Sequence, residues 1–140
     1  MISVIIPMYN GESTIEKCLK ALKQQSFNGK FEVIVVDDGS TDNGANLAEK
    51  LGVKVIRQKN KGPASARNNG AKIATGDIIV FTDSDCVPSE SWLAEMAEPL
   101  KDKGITGVQG AYKTKQKKLI ARFAQLEIES RYERMKNLNL

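Results

Sequence analysis

Two aspartates, Asp83 and Asp85, stand two positions apart directly after the apolar run Ile78-Ile79-Val80-Phe81. A run of that length and composition is a buried strand, so both carboxylates are delivered into the loop at its carboxyl end. Paired hard oxygens suit Mg²⁺ or Mn²⁺, and such a cation suits a diphosphate. Asp also forms turns readily, so an isolated Asp-Ser-Asp is equally well explained by Asp83 capping a turn and Asp85 facing water. The loops elsewhere in the chain decide between these readings.

The elements that must position the pair alternate. Ile2 to Met8 is an apolar run closed by Pro7 and followed by Tyr9-Asn10-Gly11-Glu12. Ser13-Thr14-Ile15-Glu16 has the pattern of a capping box, and Ile15, Cys18, Leu19 and Leu22 recur at helical spacing, predicting a helix to about Gln25. Phe31 to Val36 reads as a second strand ending in Asp37-Asp38-Gly39-Ser40-Thr41-Asp42, where Thr41 or Asp42 caps a short helix before Gly52. Val53 to Arg57 is a third strand, and Pro63 suits the first turn of a helix running from Ala64 to about Ala74. Small residues dominate that helix, which fits close packing against a sheet or ligand.

Ile78 to Phe81 is the fourth strand. Pro88 and Ser89 start a helix that puts Trp92, Leu93, Met96 and Leu100 on one face, and Thr106 to Tyr112 reads as another strand. From Leu119 to Met135 the apolar spacing is helical again. The alternation predicts one α/β fold with a mostly parallel sheet and helices on both faces. Every polar cluster then follows a strand's carboxyl end, and all four face one rim, where such sheets bind ligands.

Composition agrees with an ordinary globular chain: 140 residues, 41% hydrophobic and 27% charged. Two cysteines and no histidine argue against a disulfide framework and a zinc site. The start of the chain lacks a basic leader, and no apolar run approaches the roughly 18 residues of a membrane span, so a cytoplasmic location is expected. The net charge of +4 is uneven, with ten Lys/Arg against four acids in residues 101–140 and eleven against thirteen before them. Lys113, Lys115, Lys117 and Lys118 are the densest part, a solvated face or a contact for the inner face of a membrane. The uncovered helix after them offers self-association. Tyr112 alone accompanies this basic stretch, so no nucleic-acid partner is expected.

A cation on Asp83 and Asp85, positive charge from Arg67, and Asp38 as acceptor for a base N–H or ribose hydroxyl match a nucleoside diphosphate. Neither a Walker pattern nor Gly-x-Gly-x-x-Gly occurs, so the metal must carry the phosphate charge. Pro7-Met8-Tyr9-Asn10-Gly11-Glu12, Val35 to Asp42, Gly62 to Asn68 and Phe81-Thr82-Asp83-Ser84-Asp85, in that order, resemble the donor-site motifs of family 2 glycosyltransferases with the GT-A, Rossmann-like fold. The resemblance covers roughly residues 1–112, leaving 113–140 as a basic segment and amphipathic helix.

The resemblance implies an inverting transfer from a nucleotide sugar, most often a UDP-sugar, with Mn²⁺ or Mg²⁺. It implies that Pro7, Tyr9 and Glu12 line the nucleoside pocket and that Asp38 contacts the base. Gly62, Arg67 and Ser84 fall in the nucleotide-binding motifs, Asp83 lies on the ribose or metal side, and Asp85 is the main metal ligand. It further implies a general base well beyond the acidic pair. The late carboxylates Glu127, Glu129 and Glu133 lie among Lys and Arg at helical spacing, the pattern of surface ion pairs. The chain therefore reads as the donor-binding half of such an enzyme, its acceptor, lipid-linked or otherwise, unassigned. The alternative is a non-catalytic nucleotide-sugar-binding or assembly module. Asp83-Ser84-Asp85-Cys86-Val87 also fits a haloacid-dehalogenase-like signature, but that signature belongs after a first strand. A receiver-domain reading of Asp37-Asp38 fails for the same reason.

Overall fold

The computed structural model describes residues 1–111 together with residues 113, 125, 126, 129, 130 and 133. Four strands, β1 (Ile2–Met8), β2 (Phe31–Asp37), β3 (Lys54–Arg57) and β4 (Ile78–Phe81), form one parallel sheet in the order β3-β2-β1-β4. Between and after them come α1 (Ile15–Lys23), α2 (Gly44–Lys50), α3 (Pro63–Ile73) and α4 (Trp92–Ala97), with a 3-10 turn at Pro99–Lys101. This is the expected α/β sheet with helices on both faces. The chain moves outward from β1 through β2 to β3, then returns to place β4 on β1's other side. That reversal makes the gap above β1 and β4 the topological switch point.

Central position explains why β1 is apolar almost throughout: all seven of its residues are buried. Its alternation sorts them by face. Ile2, Val4, Ile6 and Met8 pack with Ile15, Cys18, Leu19 and Leu22 of α1, Ala45 and Ala48 of α2 and Leu93 of α4. Ile5 on the opposite face joins Ile34, Val36 and Ala66 of α3. The small residues of α3 let it lie close: a Cβ on Gly70 would meet Ile5 Cγ2 at 2.5 Å and Val36 Cγ2 at 3.1 Å.

At the sheet's amino edge, buried Ser3 donates to Glu32 Oε1 at 2.7 Å and accepts from the Gly76 N–H at 2.9 Å. The Thr75 N–H and hydroxyl reach the same Glu32 oxygen at 2.7 and 2.6 Å. These donors, the Thr75 hydroxyl foremost, then Ser3 and the Thr75 N–H, hold the Glu32 carboxyl down at about 2. β1, β2 and the approach to β4 are thereby tied together at the end opposite the rim.

Three expectations need correction. No capping box forms, because the turn into α1 closes on a backbone oxygen instead. Ile15 N–H donates to the Gly11 carbonyl at 2.9 Å, Thr14 Oγ1 donates to it at 3.3 Å, and Glu16 pairs with Lys20. The helix expected from Pro88 begins only at Trp92, since the segment before it is bound to the end of α1: Gln25 Nε2 donates to the Ser89 carbonyl, and the Ser26 N–H to that of Glu90. Pro99 moves Leu100 into the 3-10 turn. Among the described residues 106–111 there is no strand. Gly107 and Gly110 weaken that segment's preference for extended structure, and β1 to β4 offer it no ladder. Tyr112, most of the Lys113 to Lys118 stretch and most of the amphipathic pattern after Leu119 lie outside the described residues. Among the described residues, no helix is long and apolar enough to cross a membrane.

Candidate functional site

The rim opens where β1 and β4 part. The Ile5 carbonyl accepts from the Thr82 N–H of β4's end, and the Met8 carbonyl accepts from the Asp38 N–H past β2. In a parallel ladder, then, β1's odd-numbered residues address β4 and its even-numbered ones β2. Pro7 is odd-numbered and lies two residues beyond Ile5, the last to pair with β4. Its missing N–H costs the sheet nothing there.

Beyond Pro7 the β1 and β2 loops are stitched together. Asn10 takes a left-handed conformation, φ 51°, that Asn tolerates better than most residues. This lets its N–H donate to Ser40 Oγ at 2.8 Å while its side-chain oxygen accepts from the Thr41 N–H at 2.9 Å. Asp42 accepts from the Glu12 N–H at 2.8 Å and from the Gly44 N–H at 3.0 Å; the N-cap of α2 is Asn43, not the expected Thr41 or Asp42, and its side chain makes no capping bond. Glu12 Oε2 accepts from the Asn43 N–H at 3.2 Å. Tyr9 stands half-exposed on the rim.

Asp38, only 3% exposed, is held from inside the chain. Oδ1 accepts from Gln58 Nε2 at 2.7 Å and the Lys61 N–H at 2.8 Å; Oδ2 accepts from the Gly62 N–H at 2.8 Å. Burial acts to raise its pKa, but the Lys61, Gln58 and Gly62 donors outweigh it and the carboxyl lies below its ordinary value. Gly62 offers its N–H from φ 87°, a conformation open chiefly to glycine, immediately before α3.

On the β4 side, Arg67 Nη2 donates to Asp83 Oδ1 at 2.6 Å, leaving Oδ2 clear of that contact. Asp85 is exposed. One ligand atom each from Asp83, Asp85 and Cys86 lie within 4.8 Å of one another. Two carboxylates so close fit a hard divalent cation, whose other positions would be left to diphosphate oxygens or water. A closed zinc site would need a fourth protein ligand. The Cys86 N–H donates to the Asp83 carbonyl at 3.1 Å, closing the turn that holds the trio. Cys18 Sγ lies 3.7 Å from the same carbonyl, and burial pushes its thiol up to about 12, a packing group rather than a nucleophile. A Cβ on Gly11 would come within 3.4 Å of Ser84 Oγ, so this turn rests against the β1 loop.

The sequence matches the family described as glycosyl transferase family 2 over residues 3–139. This chain belongs to that family. Among curated relatives it is 35% identical over 116 residues to glycosyltransferase AglE of Haloferax volcanii, covering 78% of this chain and 38% of AglE. Staphylococcus aureus TarS 1–349, solved in complex with UDP-GlcNAc, superposes with a TM-score of 0.68 at 33% identity, over 84% of this chain and 38% of that fragment. The mannosyltransferase PcManGT of Pyrobaculum calidifontis, solved with GDP-Man and Mn²⁺, gives 0.69 at 32% identity, over 72% and 32%. The chain thus spans less than two-fifths of each of these three proteins. The GT-A fold is common to this chain and its family 2 neighbours.

The structure places Tyr9, Glu12, Asp38, Gly62, Asp83, Ser84 and Asp85 in the loops past the strands' carboxyl ends, Pro7 next to last in β1 before its loop, and Arg67 in the first half of α3. Sequence reasoning missed Gln58 and the Lys61 backbone, which hold Asp38. A polar residue just past β3, aligned with the other strand ends, was the available signal for Gln58. Of the late carboxylates, Glu129 accepts from Gln125 at 2.9 Å, and Glu127 lies outside the described residues.

Proposed function

We propose that this chain binds a nucleoside diphosphate sugar and a divalent cation at the β1–β4 crevice, as the donor-binding part of an inverting sugar transferase. One observation carries the reading: Asp83 and Asp85 share their rim with Arg67, Asp38 and the loop after Pro7, at the carboxyl ends of adjoining parallel strands. Asp85 is the main metal ligand and Asp83 its neighbour. Bound there, Mn²⁺ or Mg²⁺ would supply charge neutralisation for the departing diphosphate.

This chain's own side chains do the rest. Pro7, Tyr9 and Glu12 border the nucleoside, with Tyr9 supplying an exposed ring. Asp38 has one acceptor position left, on Oδ2, and offers it to a base N–H. Arg67 turns from Asp83 toward the nucleotide, placing a fixed positive charge where negative charge accumulates. An acceptor hydroxyl then forms its bond to the anomeric carbon on the face opposite the breaking carbon–diphosphate bond, so one displacement inverts the centre. The UDP-GlcNAc complex of TarS and the GDP-Man, Mn²⁺ complex of PcManGT support the ligand class. Calorimetry of the chain with UDP, with and without Mn²⁺, tests the reading. Micromolar binding that needs the metal is expected, and absence of binding at millimolar UDP in Mn²⁺ rejects it. A transfer assay on the same sample separates an enzyme from a module that only binds.

A further inference from the structure

Two relatives of nearly equal identity to this chain bind different bases, uracil in one complex and guanine in the other, so family membership leaves the base open. We propose that Gln58 is the residue that sets it: by occupying a lone pair on Asp38 Oδ1, Gln58 leaves the carboxylate one acceptor position, which admits a base with a single N–H donor and rejects one with two. This rests on the reading of Asp38 as the base contact.

An ionised carboxylate offers about four lone-pair positions. Gln58 Nε2 and the Lys61 N–H fill both on Oδ1; the Gly62 N–H fills one on Oδ2. Uracil presents one donor, N3–H, between two carbonyls, and one remaining acceptor satisfies it. Guanine presents N1–H and its 2-amino group side by side and pairs with a carboxylate through both oxygens. With Oδ1 filled, the 2-amino group would enter the site unpaired, a loss of about ten- to a hundredfold in affinity. Selectivity therefore comes from an acceptor withheld as much as from a contact made.

Gln58 is itself fixed. Its Oε1 accepts from Asn69 Nδ2 on α3, and its Nε2 lies 3.4 Å from Ser65 Oγ. The ionised Asp38 has no proton to give, so the amide must present nitrogen to it.

GDP and IDP differ only in the 2-amino group, which removes ring size from the comparison. In competition binding with Mn²⁺, the native chain should bind IDP about tenfold or more tighter than GDP. Gln58→Met, which frees one acceptor position on Oδ1 while the Lys61 N–H keeps the other, should close most of that gap. GDP binding as tightly as IDP to the native chain overturns the proposal, as does an unchanged gap in a Gln58→Met protein whose circular dichroism and unfolding midpoint match the native ones. Should the variant fail to fold, the native contrast alone decides. If UDP binds with Mn²⁺ while GDP outcompetes IDP, the donor-site reading stands and this inference falls; if no nucleotide binds, both fall.

Discussion

At the scale of single residues, the side chains divide by whether their bonds end inside the chain or point outward. Asp38 is largely spoken for, whereas Arg67 and Asp83 hold one another at 2.6 Å while each is still a third or more exposed. A pair that open contributes at most about 1 kcal/mol to stability. Each hydrogen bond from Arg67 to a charged phosphate, by contrast, contributes about 1.5–3 kcal/mol. Arg67→Gln should therefore lower UDP affinity in Mn²⁺ about tenfold or more while shifting the urea unfolding free energy by less than about 1 kcal/mol. A loss of stability as large as the loss of binding would recast Arg67 as structural. The types and order of these residues were legible in the sequence because each follows a strand. Their partners were not: Gln58 reaches Asp38 across 20 positions, and Arg67 reaches Asp83 across 16.

At the scale of elements, periodicity located β1 and α1 because their burial is one-sided or complete, and both came out where the apolar residues placed them. Local signals fared worse. The Ser13–Glu16 pattern was overridden by a backbone turn on Gly11, and the expected strand, over its described residues 106–111, by the want of a ladder, since a strand's existence depends on a neighbour its own sequence does not name. Two predictions belong here. Gly70→Val should destabilise the fold by about 1–3 kcal/mol, because added carbons must displace the fully buried Ile5; a denaturation curve matching the native one would show that α3 can lift away. The second concerns Glu32, whose carboxyl is held at about 2, below the ordinary 4.5 it regains on unfolding. Its contribution is complete above about 4.5 and is lost as pH falls through that value toward about 2. The stability difference between the native chain and Glu32→Gln should thus be constant near neutrality and shrink across that window. A difference independent of pH would mean that its bonds to Thr75 and Ser3 do not need the charge.

At the scale of the whole molecule, the strand order β3-β2-β1-β4 makes a site out of four loops that lie far apart in sequence. Convergence on one rim was legible as soon as every strand was taken as parallel, because polar clusters trailing parallel strands share an edge. Which strand adjoins which was not, and it matters: β4 beside β1 sets the acidic turn against the Gly11 loop and opens the crevice at Pro7. The account as a whole depends on the acidic pair acting through a cation on a bound diphosphate. The most direct measurement is calorimetric titration of UDP into the native chain and Asp85→Ala, each with and without Mn²⁺. Mn²⁺ should raise UDP affinity at least about tenfold in the native chain and leave it nearly unchanged in the variant, whereas an equal Mn²⁺ enhancement in both would contradict the account.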